Sequence, residues 1–245
     1  MCGNGREPTG LTIRAWRHYA RVDLWPVCGS LAVEDDAFNA RRGETKGRTM
    51  SGTVSLTPPR SIVLVGLMGA GKSNIGRRLA SRLQLPFTDA DAEIVAAAGE
   101  SIEEIFARYG EPYFRAGERR VLARLLDGPV HVLATGGGAF MDAQTRERVR
   151  ARGISIWLRA DLELLLARVA RRDNRPLLKD GDRRAILATL IEQRHPVYAE
   201  ADIIVDSIDG PPELTLNRVL AALKDFLAAE ASVADGADAR RGTGG

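Results

Sequence analysis

Cysteine, long apolar runs and net charge are all scarce in this sequence. Its two cysteines, Cys2 and Cys28, lie near the N-terminus, and none follows. This excludes a disulfide framework or thiolate metal site from residue 29 onward and favours a reducing compartment, which we expect to be the cytoplasm. The apolar runs are too short to cross a bilayer and no secretory signal is recognisable, so we expect no membrane partner.

The small net charge also limits the classes of partner. The chain has 35 basic and 32 acidic residues among 245, which leaves a formal net charge of +3. A balance this close to neutral gives no electrostatic reason to expect a nucleic-acid partner. Hydrophobic residues make up 44% of the chain, which is enough for one domain with a sizeable core.

A glycine-rich loop stands between a predicted strand and a predicted helix. Residues 61–65 are a short, β-branched run, and apolar residues recur at helical spacing from Lys72 to Leu83. Residues 66–73 read Gly-Leu-Met-Gly-Ala-Gly-Lys-Ser, which matches G-x-x-x-x-G-K-[ST], the pattern of a phosphate-binding loop or P-loop. A glycine-rich turn with a chance lysine is the alternative. The predicted nucleotide contacts are Gly69, Ala70, Gly71, Lys72, Ser73 and Asn74.

The chemistry of a P-loop assigns roles to its last two residues. Backbone N–H groups and the helix dipole bind phosphate oxygens. Lys72 would reach the β- and γ-phosphates of a nucleotide, and the Ser73 hydroxyl would bind Mg²⁺. The sequence therefore predicts that this loop binds the phosphates of a nucleotide together with Mg²⁺ as cofactor.

Strands and helices alternate after this loop. This alternation predicts an α/β fold with a parallel sheet that is covered by helices on both faces. The carboxyl ends of parallel strands meet at one sheet edge, so we expect the P-loop, Asp89, Asp91 and the triple glycine Gly136–Gly138 to surround one crevice. Predicted strands are 61–65, 85–91, 130–134, 154–158 and 203–205; predicted helices are 72–83, 92–98, 101–110, 112–126, 142–151, 161–170, 182–195 and 213–229.

Asp89 and Asp91 are the first candidate site residues beyond the P-loop. One carboxylate could hold Mg²⁺, directly or through water, while the other accepts a proton from a substrate hydroxyl. Alternatively, Asp91 could merely cap the following helix. The triple glycine could offer backbone donors to a closely approaching ligand, or be only a flexible turn.

Three arginines are ambiguous without further context. Arg115 and Arg194 would ordinarily be solvated surface residues. Arg175 lies in a polar segment, residues 173–182, that is predicted to be a mobile lid, where it could stabilise the transferring phosphoryl group.

The order of these motifs resembles that of the shikimate kinases. The resemblance rests on the P-loop, Asp89-x-Asp91, Phe114-Arg115 followed by Glu118, the triple glycine, Arg175-Pro-Leu-Leu178 and Arg194-x-Pro-x-Tyr198. It covers roughly residues 60–229.

The resemblance implies a nucleoside-monophosphate-kinase-like P-loop fold with five parallel strands in the order 2-3-1-4-5. It further implies phosphorylation of the 3-hydroxyl of shikimate by ATP, in aromatic amino acid biosynthesis, by a monomer. Lys72, Asp91 and Arg175 would be catalytic, and Asp89 would lie in the outer metal shell. Shikimate would contact Asp91, Arg115, Gly136, Gly137, Gly138 and Arg194, while Arg168 and Arg175 would contact ATP.

Two alternative functions fit the P-loop, and the sequence divides into three segments. The protein could instead be a gluconate kinase or a noncatalytic P-loop regulator. We expect residues 1–59 to be a disordered extension, with Met50 as a candidate start, residues 60–229 to form the kinase-like domain, and residues 230–245 to form a disordered tail. Asn74 departs from the family, which commonly has a second hydroxyl residue after Ser73.

Overall fold

The computed structural model describes residues 56–170 and 182–241, with side chains as far as Ser232. A compact unit begins at Leu56. Met50, Arg175 and nearly all of the predicted N-terminal extension and lid lie outside the described residues.

Five parallel strands form one sheet at the centre of this unit. Their order is β2-β3-β1-β4-β5, as expected. On the two sides of β1, Ile62 pairs with Val132 and with Ile154, and all three side chains are fully buried. The strands are β1 (Ser61–Val65), β2 (Phe87–Asp89), β3 (Val132–Ala134), β4 (Gly153–Arg159) and β5 (Ile203–Asp206).

Seven α-helices connect and follow the strands in the described part of the chain. They are α1 (Lys72–Leu83), α2 (Ala90–Ala98), α3 (Ile102–Leu126), α4 (Ala143–Arg152), α5 (Leu162–Ala170), α6 (Arg183–Tyr198) and α7 (Pro212–Arg241), and a 3₁₀ turn spans Ala139–Met141. None of these helices is both long and apolar enough to cross a membrane.

The predicted helix starts agree with the hydrogen bonds found there. Ser101 and Glu104 form a reciprocal capping box at the start of α3. Asp142 accepts from the N–H of Thr145 at the start of α4. Helix α3 breaks at Gly110, whose φ of 78° and ψ of 172° are not helical, so its two halves correspond to the two predicted helices.

Two helices extend farther than predicted. Helix α6 passes through Pro196 to Tyr198, because a proline in the last turn removes only one backbone hydrogen bond and Tyr198 is buried in the core. Helix α7 continues beyond Ala229 to Arg241, where we expected the disordered tail 230–245 to begin. Alanines recur in this extension, and alanine has the highest helix propensity.

Helix α1 packs very closely against the sheet at Gly76. A Cβ atom at this position would lie 2.6 Å from the ring of Phe87 and 3.1 Å from the side chain of Leu64. Contacts this short exclude a methyl group unless the helix or the ring moves. The absent side chain therefore sets the separation between the first half of α1 and the start of β2.

Candidate active site

The P-loop, residues 66–73, follows β1, and its last two residues, Lys72 and Ser73, are the first two of α1. Gly66 and Gly71 have φ angles of 134° and 102°, which side-chain-bearing residues rarely adopt. The Lys72 ammonium donates to the carbonyl oxygens of Gly66 and Leu67, at 2.7 Å and 2.9 Å. The loop thus holds a positive charge beside the backbone N–H groups at the start of a helix, an arrangement that suits a bound phosphate.

Two oxygen-bearing side chains meet beside this loop. Ser73 Oγ donates to Asp89 Oδ2 at 2.7 Å. A hydroxyl and a carboxylate are hard oxygen donors and fit Mg²⁺, which commonly keeps several waters and takes its other ligands from nucleotide phosphates. Within the described residues, no group of three or more His, Cys, Asp or Glu side chains could hold a metal ion. The donor set therefore suits a metal that arrives with its nucleotide.

The structure distinguishes the two aspartates. Asp89 ends β2 and caps α2, where its Oδ1 accepts from the N–H of Asp91 at 3.2 Å. The alternative that Asp91 is the helix cap is therefore wrong. Asp91 lies in the first turn of α2 rather than at the end of the strand, and its carboxylate faces the triple glycine.

The triple glycine follows β3 and is enclosed by charged side chains. A Cβ atom at Gly136 would lie 2.8 Å from Glu118 Oε1 and 2.9 Å from Asp91 Oδ1. At Gly138 a Cβ atom would lie 2.5–2.7 Å from three atoms of the Arg115 guanidinium. Only glycine allows these charged groups to approach the backbone so closely.

Arg115 is held by two carboxylates of its own helix, α3. Its guanidinium donates to Glu118 Oε2 at 2.6 Å and to Glu111 Oε1 at 3.1 Å. Burial raises the pKa of Glu118, which is only 3% exposed; the charge of Arg115 opposes the rise, and that of Asp91 adds to it. Burial also acts to lower the pKa of Arg115, but the charges of Glu118 and Glu111 outweigh it and raise that pKa. The guanidinium is therefore charged and fixed beside the glycines.

Arg194 reaches the same glycines from α6. Its guanidinium donates to the carbonyl oxygen of Gly137 at 3.0 Å, and the Tyr198 hydroxyl donates to that oxygen as well. Burial raises the pKa of Tyr198, and the charge of Arg194 opposes the rise, so the phenol stays protonated and remains a donor. The triple glycine thus brings together Asp91, Arg115 and Arg194.

Arg168 lies on the other side of the P-loop. Its guanidinium donates to Ser207 Oγ at 2.8 Å and to the carbonyl oxygen of Ile208 at 2.7 Å. It also contacts the carbonyl oxygens of Gly69 and Ala70, each at 3.3 Å. Arg168 therefore joins the P-loop to the segment that follows β5.

A cleft of about 370 Å³ connects these regions. Its lining includes Gly69, Gly71, Lys72, Ser73, Asn74, Asp89, Asp91, Gly137, Arg168 and Ser207. Most of the predicted nucleotide and metal residues thus share one cleft with Asp91 and Gly137. Arg175 cannot be placed, because it lies outside the described residues.

Three further residues contribute to the site without a role predicted from sequence. Glu118 and Tyr198 follow Arg115 and Arg194 by three and four positions on their helices, a spacing that puts each pair on one helix face. That spacing could have suggested their contacts. Ser207, which donates to the Ala70 carbonyl oxygen, is 137 residues away from it and carries no local signal.

Comparison with known proteins identifies the family. Residues 68–224 match the family model described as shikimate kinase. A shikimate kinase of Paramagnetospirillum magneticum is 64% identical over 174 residues, which cover 71% of this chain and 89% of the relative. One from Caulobacter vibrioides is 58% identical over 165 residues, covering 67% of this chain and 82% of the relative.

Solved structures show the same fold. A shikimate kinase from Acinetobacter baumannii, solved in complex with shikimate, has 40% sequence identity and a TM-score of 0.63 and covers 66% of this chain and 90% of its own. A gluconokinase from Sinorhizobium meliloti has 20% identity and a TM-score of 0.50, covers 70% of this chain and 95% of its own, and shares the fold alone. The family model and the close relatives together establish that this chain belongs to the shikimate kinase family.

Proposed function

We propose that this chain transfers the γ-phosphoryl group of ATP to the 3-hydroxyl of shikimate, giving ADP and shikimate 3-phosphate for aromatic amino acid synthesis. One observation carries the proposal: Asp91, Arg115 and Arg194 surround a triple glycine that adjoins the P-loop. A Cβ atom at Gly137 would lie 3.5 Å from the backbone nitrogen of Met68 and 3.6 Å from the Arg194 guanidinium. A small acid bound there would place its hydroxyls near the phosphates.

The two arginines give the site its preference for an acid. Each guanidinium can donate two parallel hydrogen bonds to a carboxylate. Such charge-assisted bonds contribute roughly 1.5–3 kcal/mol each. A neutral polyol would leave these donors without a charged acceptor, so the site discriminates against it.

Asp91 is the group best placed to contact the hydroxyls of the acid. Its carboxylate faces Gly136 in the same cleft as Lys72. We assign it two tasks: to orient the substrate hydroxyls and to accept the proton of the attacking hydroxyl. In-line attack then requires little covalent chemistry from the protein, since positioning and charge stabilisation account for most of the acceleration.

Ser73, Asp89, Lys72 and Arg175 would serve the phosphates. Ser73 would bind Mg²⁺ directly and Asp89 would hold its outer shell, an arrangement supported by their 2.7 Å hydrogen bond. When bound, Mg²⁺ supplies charge neutralisation on the β- and γ-phosphates. Lys72 would orient those phosphates, and Arg175 would stabilise the transferring group after the predicted lid excludes water.

The nucleotide base would lie beside Arg168. This side chain crosses from the P-loop to the segment after β5 and lines the same cleft as Gly69, Gly71 and Asn74. Its planar guanidinium can stack on an aromatic base while its N–H groups remain bonded to carbonyl oxygens. We also retain the predictions of a monomeric state and a cytoplasmic location.

A coupled assay of ADP release tests the function. The purified chain should release ADP when ATP, Mg²⁺ and shikimate are all present, and gluconate should not replace shikimate. Gluconate-dependent release without shikimate-dependent release would identify a gluconate kinase. Binding of ATP without release of ADP would identify a regulator.

A further inference from the structure

The carbonyl group of Gly137 receives two hydrogen bonds from one helix. Arg194 Nη1 donates to it at 3.0 Å, and the Tyr198 hydroxyl donates to the same oxygen. A carbonyl oxygen has two lone pairs, so both bonds can form at once. Arg194 and Tyr198 thus hold this carbonyl together from the same helix.

The Arg194 guanidinium and the Tyr198 hydroxyl differ in how easily they can move away from the Gly137 carbonyl oxygen. Tyr198 is 1% exposed, and its ring lies 5.9 Å from that of Trp157 and 6.5 Å from those of Phe140 and His195, measured between ring centroids. These rings come from β4, the 3₁₀ turn and α6, and they fix the phenol in place. Arg194 is only partly buried and has five N–H donors on a long side chain. The hydroxyl is therefore the permanent donor and the guanidinium the movable one.

This difference matters when the acid binds. The function proposed above requires the Arg194 guanidinium to bond to a carboxylate, and in doing so it can withdraw from the Gly137 carbonyl. A carbonyl oxygen shielded by substrate and left without a donor would weaken binding. Gly137 precedes Gly138, which lies against the Arg115 guanidinium, so a rotated peptide would disturb the part of the site that binds the acid.

We propose, on the basis of the function proposed above, that Tyr198 is a positioning residue: its hydroxyl holds the Gly137 carbonyl while the Arg194 guanidinium transfers to the carboxylate of the substrate. Tyr198 thereby preserves the shape of the glycine loop in the free and the bound protein. It also makes the transfer of Arg194 less costly, since the carbonyl keeps one hydrogen bond throughout.

The test is the Tyr198→Phe substitution in the full chain, which keeps the ring and removes the hydroxyl. The KM for shikimate should rise about tenfold, equivalent to about 1.4 kcal/mol, while the KM for ATP and kcat stay within about twofold. Thr189→Val is the matched control, because it removes a hydroxyl from the same helix that donates only to the Ala185 carbonyl oxygen. It should leave both KM values unchanged.

A second comparison separates positioning from general support of the fold. In the wild-type background Arg194 still donates to the Gly137 carbonyl of the free protein, so Tyr198→Phe should change its melting temperature by less than about 1 °C; in an Arg194→Ala background the same substitution removes the second of the two donors and should lower the melting temperature by about 2–4 °C. The proposal would be overturned by equal effects of Tyr198→Phe on the melting temperature in the wild-type and Arg194→Ala backgrounds. An unchanged KM for shikimate in the single variant, or an unfolded Tyr198→Phe chain, would also overturn it. A wild-type chain that releases no ADP with shikimate would instead overturn the proposed function, and this inference with it.

Discussion

The phosphate end and the acid end of the site are built in different ways. At the phosphate end, Lys72 bonds to carbonyl oxygens only five and six residues away, within one loop. At the acid end, the Gly137 carbonyl accepts from Arg194 and Tyr198, which are 57 and 61 residues away. The phosphate end is therefore a local motif, whereas the acid end exists only once α3, α6 and β3 have packed together.

The two ends also differ in how they balance charge. Lys72 is stabilised by neutral carbonyl groups, whereas Arg115 is paired with Glu118, a carboxylate that is almost fully buried. Removal of a buried ion-pair partner leaves an uncompensated charge and lowers stability. We therefore expect substitutions at the phosphate end to affect nucleotide binding and catalysis without affecting folding, and substitutions at the acid end to affect both binding and folding.

The largest effect should come from Arg175→Ala, which tests whether the phosphate end needs a group from outside the P-loop. Loss of a guanidinium from the transferring phosphoryl group should lower kcat by about 10³-fold, with unchanged thermal stability. Steady-state kinetics and thermal unfolding measure the two quantities. Arg184→Ala is the control, because Arg184 is exposed and pairs with Glu163. Normal turnover of the Arg175 variant would remove this residue from the mechanism.

Next in size is Arg115→Ala, which tests the coupling of binding to folding at the acid end. The KM for shikimate should rise about 100-fold, and the free energy of unfolding should fall by about 3 kcal/mol at neutral pH. The double variant Arg115→Ala/Glu118→Gln also removes the charge of Glu118, which the single variant leaves buried without the Arg115 guanidinium. It should regain stability without regaining affinity; a double variant as unstable as the single one would contradict the coupling.

The instability of the Arg115→Ala variant should depend on pH in one direction. The pKa of Glu118 is already above its ordinary value of 4.5, and loss of the opposing arginine should raise it further. A carboxyl whose pKa is raised by folding favours the folded state most below its unfolded pKa, and this contribution is lost as pH rises through the folded pKa. The deficit relative to wild type should therefore be small in acid and grow toward neutral pH. Chemical denaturation across that range measures it.

A smaller effect is expected from Asp89→Asn, which changes only the charge beside the Ser73 hydroxyl. The concentration of Mg²⁺ that gives half-maximal activity should rise about tenfold, since an outer-shell carboxylate is replaced by a neutral amide. Asp142→Asn is the matched control, because Asp142 also caps a helix but at the start of α4. An equal shift in both variants would assign the effect to helix capping rather than to the metal.

The smallest effect should come from Asn74→Ala. Asn74 lines the cleft, and its Oδ1 accepts from Arg78 at 3.0 Å, so its amide N–H groups are the donors left for a phosphate. One exposed hydrogen bond contributes little, and the KM for ATP should rise about threefold with no change in that for shikimate. Gln144→Ala, an exposed amide on α4, should change neither. A shift in the KM for shikimate would show that the two ends are not independent.

The phosphate end could be predicted from the sequence more completely than the acid end, and the reason is physical. The strand, glycine loop and helix are specified by neighbouring residues, and the strand order agreed with the family pattern. The role of Asp89 as the helix cap was missed because two aspartates two positions apart offer the same local pattern. The approach of Arg115, Arg194 and Tyr198 to the triple glycine depends on how α3 and α6 dock around it, which no local pattern specifies. The extension of α7 was underestimated because a low-complexity composition concealed good helix-forming residues.

Gly76 constrains the distance between Ser73 and Asp89 in this site. Ser73 lies in the first turn of the helix that packs through Gly76 onto Phe87, and Asp89 ends the strand that Phe87 begins. Any larger residue at position 76 would wedge the helix away from the sheet and stretch the 2.7 Å hydrogen bond between the two metal-binding candidates. A residue that contacts neither Ser73 nor Asp89 thus sets the distance between their oxygen atoms from about one helical turn away.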